Sequence, residues 1–246
     1  MTDPHPAVTG DAGFQTEVLE EMTSAVQYRR WLVDLTAPHL GDAPLEVGSG
    51  TGDYAADWAD RGIAVTATEG FAPLVTHLQT RFAASPRVTV RALMAPVTET
   101  AEHSAVVALN VLEHIPDDVA ALRSFAGLVR PGGAIVMFVP AFPALMSPYD
   151  LTVGHQRRYT RRTLRAAAEG AGLSVDVLHH VNLVGFFAWF ITMRLLKGRP
   201  KEGLLLQVFD RGVVPLMRRF EARVRPPFGQ SLLLVARAAE APGHPS

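Results

Sequence analysis

Between residues 44 and 139, short apolar runs alternate with amphipathic stretches, and that alternation predicts the architecture. The runs at 44–47, 64–68, 88–91, 105–109 and 134–139 read as strands buried on both faces. Between them, 54–61, 71–82 and 117–128 carry apolar residues at helical spacing. A mostly parallel sheet with helices on both faces follows. Upstream, Val18, Met22, Val26, Trp31, Leu32 and Leu35 recur at roughly helical spacing, so 16–36 reads as one long helix ended by Pro38 and Gly41. It forms the body of an N-terminal helical cap over 14–40. Beyond Pro140, the polar stretch 146–160 reads as a lid, 161–169 as a helix, and 173–179 and 231–237 as the last two strands. The connection 182–226 is too long for a plain loop and predicts a helical insertion, with helices over 184–196 and 205–223. Residues 1–12 and the tail after Ala239 read as frayed.

The sharpest chemical signal is Leu45-Glu46-Val47-Gly48-Ser49-Gly50-Thr51-Gly52, with Glu69 closing the next apolar run. Glycines there let a chain leaving a strand turn tightly and approach a ligand. An acid at the end of the second strand suits both hydroxyls of a ribose. A nucleoside-containing cofactor at the C-terminal edge of a Rossmann-like, seven-stranded α/β sheet is the expectation.

Composition narrows the chemistry. The 246 residues, 48 % apolar and 19 % charged, fit a single soluble domain spanning 1–246. The absence of cysteine excludes a disulfide framework, a thiolate nucleophile and a zinc–thiolate site. None of the nine histidines sits in a His-Glu-x-x-His pattern, and neighbouring His179 and His180 point to opposite faces of a strand, so no metal site is expected. Asp3, His5 and Pro6 precede any apolar run, which does not read as a signal peptide, and a cytoplasmic location is expected. The net charge of -1 hides an asymmetry, because 182–230 carries nine Lys or Arg against three acids. Such a segment suits an anionic ligand, a lipid surface or a partner, or is simply a solvated helix face.

Together with the glycine-rich loop and Glu69, two further pieces, Asn110-Val111-Leu112-Glu113-His114-Ile115 and Leu128-Val129-Arg130-Pro131-Gly132-Gly133, resemble the class I S-adenosylmethionine-dependent methyltransferases. The glycine loop alone is shared with nicotinamide and flavin enzymes, whereas the Asn-to-Ile run followed by Arg-Pro-Gly-Gly discriminates. A narrower resemblance, to a bacterial subgroup with a Gly-His-x-Arg-Arg-Tyr motif, rests on Tyr149-Asp150, Gly154 to Thr160, Asn182 to Gly185, Trp189 and Pro227 to Ser231. The resemblance implies S-adenosyl-L-methionine as cofactor. It implies that Glu46 orders the loop or meets the cofactor ammonium, and that Gly48, Ser49 and Gly50 lie along the amino acid portion. Gly52 would allow close helix–strand packing, and Glu69 would take the ribose. Asn110 and Val111 would line the crevice, and Tyr28 either closes over the cofactor carboxylate or packs with Trp31. The family's acid after the third strand is missing, so Leu93 and Met94 are left to meet the adenine.

For the acceptor, the candidates are Tyr149, Arg157, Arg158, Tyr159, Phe186 and Trp189, with His155 and His114 as candidate bases. The arginine forks suit a carboxylate or phosphate, or else pair with Asp150 and Glu113 to hold the lid. The apolar run 183–193 is too short to span a bilayer. It reads as an acceptor pocket, a dimer interface or, with the basic 183–225 region, a peripheral contact at the inner membrane face. Methyl transfer to a small or medium-sized hydrophobic acceptor carrying an anionic group is expected, to oxygen ahead of carbon or nitrogen. The alternatives are C- or N-methylation of a natural product or lipid-linked substrate, and a non-catalytic cofactor-binding scaffold. Nucleic acid is not an expected partner.

Overall fold

The computed structural model describes residues 25–195 and 207–238. Seven strands form one sheet in the order β3-β2-β1-β4-β5-β7-β6, comprising β1 (Leu45–Val47), β2 (Val65–Glu69), β3 (Val88–Ala92), β4 (His103–Leu109), β5 (Val129–Pro140), β6 (Leu173–Val181) and β7 (Ser231–Ala238). Pairing is parallel from β3 through β5, and β7 runs antiparallel between β5 and β6. The order reverses between β1 and β4, which opens a crevice at their C-terminal ends.

Alternation along the central strands explains why they are apolar throughout. On β5, Ile135, Met137 and Val139 join one hydrophobic layer with α4 (Asp118–Ala126) and α6 (Arg161–Gly170). Ala134, Val136 and Phe138 face the other, with α1 (Val26–Thr36), α2 (Asp53–Asp60) and α3 (Ala72–Arg81). Both faces are covered, so a polar residue at either parity would be buried without a partner. The predicted helix over 16–36 appears from Val26 onward, and its first half lies outside the described residues. The strand predicted over 134–139 begins at Val129 instead. Val129 pairs with His103, and the ladder shifts register before Ala105 meets Ala134. The Arg-Pro-Gly-Gly stretch therefore sits within β5 as a bulge.

The predicted lid is a folded strap. Ser147 caps α5 (Pro148–Thr152) in a reciprocal box with Asp150, and Tyr159 bridges Ala141 beside the end of β5. The insertion holds α7 (Leu183–Trp189), which continues as a π-helical stretch, Phe190–Leu195, and then α8 (Val214–Glu221) after a second such stretch, Phe209–Val213. Parts of both predicted helices lie outside the described residues. Buried Asp210 fixes the insertion to α1 by accepting the backbone N–H groups of Gln27 and Tyr28 at 3.0 and 2.9 Å. Those are donors at a helix start that lack an intrahelical partner.

Asn182 joins sheet to insertion. It sits at φ 68, accepts the Gly185 N–H at 2.8 Å and donates to Gln230 at 2.8 Å. Asn182→Ala loses a helix cap and the short polar side chain that eases a left-handed backbone, and should cost about 2–3 kcal/mol. Urea unfolding checks this, and an unchanged midpoint would show that the cap contributes nothing.

Candidate active site

The crevice between β1 and β4 gathers most of the predicted cofactor residues. Gly48, at φ +69, lies so close to the loop after β4 that a Cβ would stand 2.7 Å from Val111 Cγ2. Gly52, at φ +85, has equally little room, with Leu78 and Phe82 each 2.6 Å from a built Cβ. These two positions need glycine for space as well as for dihedral. The Ser49 hydroxyl accepts the Thr68 N–H at 3.1 Å, tying the loop to β2.

Glu46 is buried, and its Oε2 has no hydrogen-bond partner. Burial pushes its pKa up to about 8, against a hydrogen bond from Ser49, and the charges of Glu69 and Asp53 push the same way. A buried carboxyl with one oxygen unpartnered at the glycine loop fits an incoming ammonium group. Glu69 is also raised by burial, opposed by the N–H groups of Gly50, Gly70 and Phe71. Its carboxyl therefore stitches the loop to the start of α3. Leu93 is buried, while Met94 is half exposed and reaches over Gly70. Asn110 stands at φ 55, a left-handed backbone at the strand end. Tyr28 is turned elsewhere, because its hydroxyl engages Asn182 and Ser231, and burial raises its pKa to about 12. Its ring meets Trp31 edge-on at 6.0 Å.

Beyond the crevice the Gly-His-x-Arg-Arg-Tyr segment spends most of its polar groups on the protein itself. Arg158 is almost fully buried, pairs with Asp150 at 2.7 Å, donates to the Ala141 carbonyl and lies 4.7 Å over the Trp189 ring. Arg157 pairs with Asp118 at 3.0 Å and donates to the Pro116 carbonyl. The Tyr159 hydroxyl donates to Asp118, and the ring is buried in the hydrophobic layer. Of the two readings of the arginines, the structure realises the ion-pairing one, with Asp118 in place of Glu113 as the second acid. Tyr159 lies in the core because the strap needs an anchor beside β5. Tyr149 packs on Trp189 at 5.8 Å, and Phe186 joins Phe142, Phe187 and Phe228 in an aromatic cluster.

His155 is the exception. Its Nδ1 lies 2.8 Å from Asp150 Oδ1, and its Nε2 points toward Glu113, 3.8 Å from Oε1. Burial alone would raise Asp150, yet donors from His155, Arg158 and Ser147 hold it at about 2. Asp150 accepts from Nδ1, so the neutral tautomer of His155 carries its proton there and its lone pair on Nε2. His114 meets His155 edge-on at 4.7 Å, and burial is the main cause that lowers its pKa to about 4. Glu113 is fully buried, with its pKa raised by burial to about 7. Sequence reasoning gave Glu113 only a lid-holding role, as an alternative partner for the arginines. The signal was an acid inside the apolar run Val111 to Ile115, where burial without water is expected.

A cavity of about 270 Å³ lined by Trp31, His179, Arg218 and Glu221 lies against the insertion and touches none of these groups.

Comparison with known proteins agrees with the geometry. A family model described as a methyltransferase domain matches residues 45–135. An uncharacterised methyltransferase of Mycobacterium tuberculosis (strain H37Rv) is 37 % identical over 115 residues, covering 46 % of this chain and 58 % of that one. A ubiquinone biosynthesis O-methyltransferase of Aeromonas salmonicida is 32 % identical over 112 residues, covering 43 % and 46 %. The chain thus spans about half the length of these curated relatives. The structure of geranyl diphosphate C-methyltransferase from Streptomyces coelicolor A3(2), solved with its named substrate and S-adenosyl-L-homocysteine, superposes with a TM-score of 0.58. It does so at 14 % identity over 85 % of this chain and 78 % of that one. The fold is that of the class I S-adenosylmethionine-dependent methyltransferases.

The raised Glu46 carboxyl has a consequence for stability. A carboxyl whose folded pKa exceeds its unfolded value favours folding fully below the unfolded pKa, and that advantage is lost as pH rises toward the folded one. Stability of the ligand-free protein should therefore fall between about pH 5 and 8, by up to about 1.4 kcal/mol per unit. Glu46→Gln should flatten that slope in chemical denaturation across the range. An equally steep slope in the variant would place the titrating group elsewhere.

Proposed function

We propose that this chain is an S-adenosylmethionine-dependent methyltransferase acting on a small or medium-sized hydrophobic acceptor, with oxygen as the methylated atom. The observation that carries the reading is the pairing of Glu46, with one oxygen unpartnered at a glycine loop, with a ribose-suited Glu69. S-adenosylmethionine, when bound, supplies a methyl group activated by a sulfonium. Glu46 would hold its ammonium, the loop of Gly48, Ser49 and Gly50 its amino acid portion, and Glu69 its ribose hydroxyls. Leu93 and Met94 would cover the adenine, and Asn110 with Val111 would border the methyl-bearing end.

The residues of this chain then have two tasks, alignment of the nucleophile and removal of its proton. The aromatic wall of Phe142, Phe186 and Trp189 supports a hydrophobic acceptor and water exclusion. His155 supports proton removal, because Asp150 fixes its tautomer and leaves Nε2 toward Glu113 at the end of β4. His114, held neutral by burial, supports positioning more than proton transfer. Arg157 and Arg158 are committed to Asp118 and Asp150, so the motif offers no support for an anionic group on the acceptor. Relatives named for O-methylation in ubiquinone biosynthesis and C-methylation of geranyl diphosphate support a small-molecule acceptor of either chemistry.

No helix among the described residues is long and apolar enough to cross a membrane. Phe187, Phe190, Leu216, Phe220 and Val224 nonetheless present exposed apolar surface on the insertion beside Arg219 and Arg223. That supports a second reading of 183–225 as a contact for another copy or an anionic lipid surface. Sedimentation with and without anionic vesicles separates the two.

Calorimetry with S-adenosylmethionine and S-adenosylhomocysteine tests the cofactor, and binding of a nicotinamide nucleotide instead would overturn it. Glu69→Ala should raise the dissociation constant at least tenfold, about 1.4 kcal/mol, and unchanged affinity in the folded variant would remove the ribose assignment. With an acceptor in hand, His155→Ala should lower kcat roughly a hundredfold while leaving cofactor affinity within about twofold. Equal losses in both would point to a structural role.

A further inference from the structure

Glu113, His114 and His155 each bring one donor atom to within 4.8 Å of the others. Neither oxygen of fully buried Glu113 has a hydrogen-bond partner, and Nδ1 of His114 is buried and unpartnered as well. Nε2 of His155 lies 3.8 Å from Glu113 Oε1, too far for a hydrogen bond. The remaining ring nitrogens are committed elsewhere. His155 Nδ1 engages Asp150 at 2.8 Å, and the His114 ring donates to the Gly154 carbonyl. Each imidazole thus turns its N–H outward and its lone pair inward, toward a carboxylate. With Glu113 ionised, three electron-pair donors face one another. Buried polar atoms of this kind demand a partner.

We propose that Glu113, His114 and His155 bind a divalent transition-metal ion, a site that nothing in the sequence pattern announces. Two imidazole nitrogens and one carboxylate oxygen suit zinc and its first-row neighbours better than calcium or magnesium, which take mostly oxygen ligands. Asp150 and the Gly154 carbonyl act as outer partners, fixing tautomer and ring direction as such groups do at histidine metal sites. Ser147 and Arg158 in turn hold Asp150. The Gln156 N–H donates to the Glu113 carbonyl at 2.8 Å, so the two ligand-bearing segments are already joined. Metal bonds of about 2.0–2.2 Å place neighbouring donors about 3.0–3.5 Å apart, so the cage closes by about 1 Å on binding. Three protein donors leave coordination positions open, the arrangement of a reactive site.

The site stands independently of the methyl-transfer reading, since binding is measured without cofactor or acceptor. Where both hold, Nε2 of His155 is a ligand and not the base, and the ion would lower the pKa of an acceptor hydroxyl as a Lewis acid, the proton passing to bulk water. The competing arrangement is a proton on Glu113 directed at His155.

The test is titration of the chelator-stripped full chain with Co2+, read by its visible ligand-field bands, and with Zn2+, read by competition with a chromophoric chelator. One equivalent is expected to bind with a dissociation constant of about 10 µM or tighter. Glu113→Gln and His155→Gln should each weaken it at least tenfold, and Asp150→Asn should weaken it through the histidine it orients. Absence of saturable binding up to about 1 mM Co2+ in the unaltered chain overturns the proposal without recourse to any variant. So does one-equivalent binding that persists undiminished in both folded ligand variants, which would locate the ion on other histidines.

Discussion

Asp150 has no exposed surface, yet it is held as an anion, and much of the sheet's C-terminal edge depends on that. Its two oxygens collect the Ser147 N–H and hydroxyl, His155 Nδ1 and the Arg158 guanidinium. Arg158 carries the constraint onward by stacking on Trp189, whose indole N–H donates to the Leu145 carbonyl. The strap, the first helix of the insertion and the imidazole at the crevice are thus set by one carboxylate. A network of this kind contributes little net stability relative to an apolar replacement, but losing one member strands the others as buried charges. What it secures is geometry, above all the direction of His155 Nε2.

Glu46 and Glu113 have the opposite character. Both are as buried as Asp150, and each leaves at least one oxygen without a partner. Burial raises both carboxyls, so the ligand-free fold carries a cost that an apolar residue would avoid. Glu46 lies within β1 and Glu113 in the short turn just past the neighbouring strand β4, where the sheet changes direction. Local rules broken side by side at a switch point mark a place shaped for ligands. The same reasoning reads Asn110, whose left-handed backbone interrupts the chain between β4 and Glu113.

The alternation of apolar runs made the sheet legible, because strands buried on both faces have no parity to conceal. The glycine loop was legible for a steric reason that the built Cβ positions make concrete at Gly48 and Gly52. The start of β5 was not, since proline and glycine signal a loop unless the partner strand is known to bulge. Asp210 was equally hidden, because its partners at Gln27 and Tyr28 are distant in sequence. Arg157 and Arg158 look the same in sequence whether they face a ligand or an internal acid. Only the positions of Asp118 and Asp150 separate those cases. Glu113 was visible as an acid among apolar neighbours, but its meeting with His155 requires the strap to fold back on the loop after β4.

Commitment of the arginines shifts the basis of acceptor recognition. Arg158 cannot turn to an anion without breaking a buried ion pair with Asp150, and Arg157 is held by a partly exposed one with Asp118. What remains toward the insertion is aromatic, with Phe142 packed between His180, at 5.0 Å, and Phe186, at 5.3 Å. Apolar walls discriminate weakly, about 1–3 kcal/mol for a methylene gained or lost. On the proposed reading, orientation of the nucleophile would come from the polar end, where Glu113, His114 and His155 converge. On that reading, a site built this way would tolerate variation in the hydrophobic body of its acceptor and be strict about the group presented to the methyl donor.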